Sequence, residues 1–223
     1  MKKIFAIALI LVLALSLLTA CGDDGGSNNT PSGGTTSSNN DPNTPARVID
    51  VPDQPLDLTD DSIYFVIIDG VKYNLYDVTV GDFLKAGFTM KYDENKKVDA
   101  LMVFTDEADN TTNVVLYKGN HSFSVNPINY TNNMISLKDC NMKGITFSSF
   151  PDPQFDISTV CNLSVDCTKE DVQSVFGDSS NLTYESGRHH VEGKGDFGNK
   201  FTFRLRKDTV NEVNIALYKY PGS

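Results

Sequence analysis

Gly193-Lys194-Gly195-Asp196-Phe197-Gly198 spells G-x-G-x-x-G, the spacing that lets a backbone approach a pyrophosphate. That chemistry requires a strand before the motif and a helix after it. Here "NKFTFRLR" follows, a strand pattern, so the glycines are expected to form a mobile loop or hairpin turn. His189 and His190 are adjacent, and neighbours on a strand point to opposite faces. The pair is therefore expected at a solvated strand or loop end and not on one metal; His121 stands alone as a structural residue. Asp106, Glu107 and Asp109 crowd one turn and could attract calcium. The loop lacks the glycine and distal glutamate of an EF-hand, so a polar hairpin tip is expected, as for Asp208 and Glu212. Cys140, Cys161 and Cys167 lack the close Cys-x₂₋₄-Cys spacing of zinc sites. Either Cys161 and Cys167 close a short disulfide loop, or all three are small, partly buried hydrophobes. Nucleophile-elbow, zincin and P-loop motifs are absent. The sequence thus points to no catalytic residue, no metal and no cofactor.

The elements that would position these residues read as strands with two short helices. Thr79-x-x-Asp82 and Thr168-x-x-Asp171 are helix starts, a capping threonine with an acid three residues on. Val80, Phe83 and Leu84 share one helix face, as do Val172, Val175 and Phe176. Gly87 and Gly177 are placed to end the helices. Each is about two turns long, too short to be stable unpacked. Phe201, Phe203 and Leu205 alternate with polar neighbours, and so do Val213, Ile215 and Leu217, predicting a hairpin across "KDTVNE". Leu101–Phe104 and Val114–Tyr117 are expected to form its counterpart in the first half. Ile63–Ile68 and Val71–Leu75 flank Asp69-Gly70, a strong hairpin signal. Met134–Leu137 and Ile145–Phe147 are weaker strand patterns. "NVVLYKG" at Asn113 returns as "NIALYKYPG" at Asn214. The reading is an α+β fold: an antiparallel β-sheet with short helices on one face. It is built from two tandem helix-plus-β-hairpin repeats, residues 47–140 and 141–223, that share one sheet or core.

The amino terminus carries a different signal. Lys2 and Lys3 precede an apolar run from Ile4 to Leu18, about 15 residues and shorter than the ~20 of an ordinary spanning helix. Leu18-Thr19-Ala20-Cys21 resembles the lipobox of bacterial lipoproteins. The resemblance implies that residues 1–20 are a signal peptide and that Cys21 is acylated at the new amino terminus. Residues 21–46 are Gly, Ser, Asn, Thr, Asp and Pro, too polar to offset their ordering entropy. They would act as a flexible leash with a span of roughly 25–30 Å. The formal charge is −10, which disfavours nucleic acid and anionic lipid surfaces as partners.

"CTKEDVQSVFGD", followed by alternating strands, resembles the signature of small α+β repeats in β-lactamase-inhibitor-protein-like and SmpA-type lipoprotein domains. "IDGVKYNLYDVTVGDFLKAGF" is similar to the start of Gram-positive (Firmicutes-type) surface lipoproteins. The resemblance implies export and a lipid anchor on the outer face of the cytoplasmic membrane. The expected role is non-catalytic: a protein- or ligand-binding module using the sheet face opposite the helices. Tyr117, Tyr218, Arg204 and Arg206 are its candidate contact residues, of types that protein interfaces favour. The alternatives are a structural or assembly role in the envelope and, less favoured, a cell-wall hydrolase.

Overall fold

Both Thr-x-x-Asp segments form capping boxes. Thr79 Oγ1 accepts the Asp82 amide at 3.3 Å, while Asp82 Oδ2 accepts the Thr79 amide at 3.0 Å. The Thr168–Asp171 pair repeats the exchange at 3.1 and 2.8 Å. A Lys85 hydrogen bond, with further ones from Thr79, holds the Asp82 carboxyl below its ordinary value. That stabilisation is present above the ordinary carboxylate range and is lost as pH falls through the lowered value. The helices that follow are α1 (Val80–Lys85) and α2 (Lys169–Phe176).

The computed structural model describes residues 47–54, 56–149, 156–177, 182–185, 190–194 and 198–218. The expected signal peptide, Cys21, the leash, His189 and Gly195–Phe197 lie outside them. The described strands are β1 (Phe65–Ile68), β2 (Val71–Asn74), β3 (Lys97–Val98), β4 (Val114–Lys118), β5 (His121–Ile128), β6 (Ile135–Ser136), β7 (Asn141–Ser148), β8 (Ile157–Ser158), β9 (Leu182–Glu185), β10 (His190–Lys194), β11 (Lys200–Arg206) and β12 (Thr209–Ala216). Seven of them form one sheet in the order β4-β5-β7-β12-β11-β10-β9, and every neighbouring pair is antiparallel. Strands β2-β1-β8 form a smaller sheet, and β3 pairs with β6. The chain is α+β.

Register places the apolar residues on one face of the large sheet. Val114 lies opposite Val125, Val125 opposite Ile145, Ile145 opposite Ile215 and Ile215 opposite Phe201. Both helices cover this face. Phe83 of α1 meets Phe123 at 5.4 Å, and Phe176 of α2 meets Phe201 and Phe203 at 5.5 and 5.8 Å. Tyr64, just before β1, stacks on Phe201 at 5.0 Å. Burying each such ring contributes about 1.5–3 kcal/mol, with roughly 0.5–1.5 more for ring pairing. Val172, Val175 and Phe176 are buried, which is what holds so short a helix. Asp69 and Gly70 turn β1 into β2 with φ of 51° and 78°, the left-handed pair that a two-residue hairpin requires.

The first-half hairpin differs from the expectation. Leu101–Phe104 is not a strand partner of Val114–Tyr117: β4 pairs with β5, and Val103 bridges Ile128. The reason lies in β5, whose Phe123 and Val125 alternate with Ser and Asn and whose Pro127 sits at a register shift, where a strand tolerates proline. The second-half hairpin, β11–β12, forms, but its turn is only Lys207 and Asp208: Arg206 pairs with Thr209, and Glu212, expected at the polar tip, lies within β12 opposite Arg204. Gly193 and Lys194 sit in β10 opposite Phe201 and Lys200, so the first glycine of the motif belongs to a strand; Gly195–Phe197 lie outside the described residues. His190, also in β10, lies opposite Arg204.

Gly144 marks the tightest point of the large sheet. It faces Asn126 on one side and Ala216 on the other, and a Cβ there would lie 2.7 Å from the Ile215 carbonyl oxygen. Gly144→Ala must therefore part β7 from β12. The expected outcome is a loss of roughly 1–3 kcal/mol of unfolding free energy by urea titration, while Gly119→Ala in the β4–β5 turn leaves the β7–β12 pairing intact.

Candidate functional site

The face of the large sheet opposite the helices is polar. Across five strands one row reads Val115, Ser124, Thr146, Asn214 and Thr202. Asn214 Nδ2 donates to Thr146 Oγ1 at 2.6 Å across two strands. Tyr117, Arg204 and Tyr218 are exposed at its perimeter. Tyr117, on β4, lies four strands from Arg204, on β11, roughly 20 Å across the sheet. Tyr218 is six residues beyond Glu212, the partner of Arg204, roughly 20 Å along the strand direction. Arg204 pairs with Glu212 at 3.2 Å. Tyr218 is fixed by its amide, which donates to Asn199 Oδ1 at 2.8 Å, and Lys143 lies 5.8 Å from its ring centre. Arg206 lines a recess of about 320 Å³ at the β11–β12 turn, with Ser149, Thr209 and Asn211. The four residues expected from the sequence thus ring the sheet and do not converge on one pocket.

A larger cavity, about 700 Å³, lies elsewhere, between residues 96 and 108. Lys96, Met102, Phe104, Asp106 and Glu107 line it. Lys96 sits 5.1 Å above the Phe104 ring and 3.6 Å from Asp106 Oδ1, so Asp106 belongs to an ion pair. Lys91 pairs with Asp109. Among the described residues, no group of three or more His, Cys, Asp or Glu converges as metal ligands do.

One rim of this cavity is a turn with an unusual residue. The Met102 amide donates to the Asp99 carbonyl at 3.3 Å, closing Asp99–Met102. Leu101, its third residue, has φ 58°, where glycine or asparagine belongs. A left-handed leucine costs roughly 1–2 kcal/mol. Asn129, fully buried, imposes it. Its Nδ2 donates to the Val98, Asp99 and Asn133 carbonyls at 3.0, 2.9 and 2.7 Å, and its amide to the Met102 carbonyl at 2.9 Å. The Leu101 amide reaches the Thr131 carbonyl at 3.2 Å. Leu101, Met102 and Met134 are nevertheless 54%, 57% and 59% exposed. Sequence reading missed this feature because "ALMVF" scans as a strand. The signal that could have revealed it is Asp-Ala before Leu-Met, a turn opening between two apolar runs.

The three described cysteines are wholly or partly buried. All three cysteines are free, which settles the choice between a disulfide and unpaired thiols. Burial pushes Cys140 up to about 12 and Cys161 and Cys167 up to about 11, so they stay protonated. Burial, with a hydrogen bond to Asp61, pushes Tyr76 up to about 12.

No family model matches this chain, and neither a curated protein nor a solved structure matches it. The site therefore stands on its own geometry. Since Leu101 is both strained and exposed, Leu101→Gly is expected to stabilise the fold by about 0.5–1.5 kcal/mol in urea titration. Asn129→Ala is expected to destabilise it, because the Val98, Asp99 and Asn133 carbonyls lose the side-chain amide that ties the two loops together, leaving Asp99 with the Met102 amide and Asn133 with the Thr131 hydroxyl. A destabilised Leu101→Gly would mean that the leucine side chain packs in the fold.

Proposed function

We propose that this protein is an exported, lipid-anchored binding module: Cys21 carries the anchor, residues 21–46 are the leash, and the sheet face opposite the helices meets a partner in the cell envelope. The observation that carries the reading is the division of the large sheet. One face is sealed by α1, α2 and aromatic packing. The other presents rows of Ser, Thr and Asn framed by Tyr117, Tyr218 and Arg204. Short polar side chains with donors and acceptors, surrounded by Tyr and Arg, are suited to a hydrated protein or glycan surface. The dispersed placement favours a broad contact over a deep pocket.

In this reading the two capped helices and their strands are tandem units of the β-lactamase-inhibitor-protein-like or SmpA-type kind, placed side by side to widen the face. The repeated "NVVLYKG" and "NIALYKYPG" segments and the two matching capping boxes support it. The chain's formal charge of −10 accords with an anchor made by acyl chains and not by basic residues.

The test is photo-crosslinking on intact cells of the source organism. A crosslinker at Tyr117 or Tyr218 is expected to give discrete envelope adducts that Arg204→Ala weakens, and one at Lys85 on the helix layer is expected to give none. Cys21→Ala is expected to move the protein from the membrane fraction to the medium. Equal adducts from both faces, or membrane retention of the Cys21→Ala chain, would overturn the proposal.

A further inference from the structure

The turn beside the larger cavity, whose Asp99 and Met102 line it, and the loop joined to that turn have features that the sheet-face reading leaves unused. Leu101, Met102 and Met134 are three of the seven exposed large hydrophobics among the described residues. They sit on two loops that Asn129 and Leu101 stitch together through carbonyls of residues 98, 99, 102, 131 and 133. The β3–β6 pairing extends the join, with Val98 opposite Ile135. Holding an exposed leucine in a left-handed turn is unfavourable in the isolated domain, and such strain persists where the surroundings impose it and function uses it. Methionine adds a polarisable surface that adapts to varied apolar partners. The surface is therefore rigid in backbone and adaptable in side chains.

Charge selects the occupant. Lys91, Lys96 and Lys138 are each paired, with Asp109, Asp106 and Glu94; Lys97 donates to Ser136 at 3.1 Å and keeps its charge, one cation against four further carboxylates. Asp93, Asp99, Glu107 and Asp139 are exposed around this block, and none of them is in a salt bridge among the described residues. An acidic surplus beside leucine and methionine repels anionic lipid. It also repels a second copy of a chain with formal charge −10. We infer that the Leu101–Met102 turn and Met134 form a docking surface for a cationic amphipathic segment of a partner protein, its apolar side on these three residues and its basic side toward Asp99 and Glu107. This surface is separate from the sheet face and does not depend on the role proposed for it.

The test uses the full chain with Cys21→Ser and a fluorescent helical peptide with one leucine face and one lysine face. Binding by anisotropy is expected, weakening as salt rises. The Leu101→Ser/Met102→Ser/Met134→Ser variant is expected to bind about tenfold or more weakly, and Asp99→Lys/Glu107→Lys likewise. Tyr117→Ala/Arg204→Ala is expected to bind as the parent does. Thermal melts of each variant establish that it is folded; should the triple serine variant unfold, single Met134→Ser, at an exposed position, supplies the comparison. Parent-level binding by the folded serine variants, equal binding of a leucine–glutamate peptide, or attachment of the parent to anionic vesicles through these residues would overturn the inference.

Discussion

The pairing of β7 with β12 is the constraint on which the rest of the structure depends. Five residue pairs, Gly144–Ala216 through Ser148–Glu212, join strands that are far apart in sequence. Without that seam, β4-β5-β7 and β12-β11-β10-β9 would be two small sheets, each with an exposed edge and half a core. With it, Ile145 and Phe147 lie against Ile215 and Val213, and the aromatic groups under α1 and α2 join one buried cluster. The glycine at position 144 permits the close approach. The helices depend on the seam in turn, since six and eight residues do not hold a helix in water without a surface to pack on.

Much of this was legible because it is local. A threonine three residues before an aspartate writes a helix start, and both expected helices begin there, with the aspartates completing capping boxes. Asp69-Gly70 writes a two-residue turn because those residue types tolerate positive φ. The alternation of Phe201 and Phe203 with Thr202 and Arg204 writes a half-buried strand. What stayed hidden depends on distant partners. β5 carries serines, an asparagine and Pro127, so its local signal is weak, and it becomes a central strand only by lying between β4 and β7. That same omission led to the wrong partner for Val114–Tyr117.

The candidate site divides in the same way. Period-two alternation told which face Tyr117, Tyr218 and Arg204 share. It could not tell that Tyr117 and Arg204 stand four strands apart in the sheet, because strand order is a non-local property. The Leu101 turn was invisible for a related reason: its backbone conformation is imposed by Asn129, a residue whose buried hydrogen bonds span two loops. The molecule therefore offers a broad polar face on one side and a small, stiff apolar rim at another place, each made by long-range contacts.

Native-state hydrogen exchange tests the shared sheet most directly. The account predicts that the slowest amides of β4–β5 and of β11–β12 exchange with one common free energy, equal to that of global unfolding and equally sensitive to denaturant. Protected amides in β4–β5 that open at a distinctly lower free energy than those of β11–β12 would mean two units folding apart. That result would contradict a core built on the β7–β12 seam.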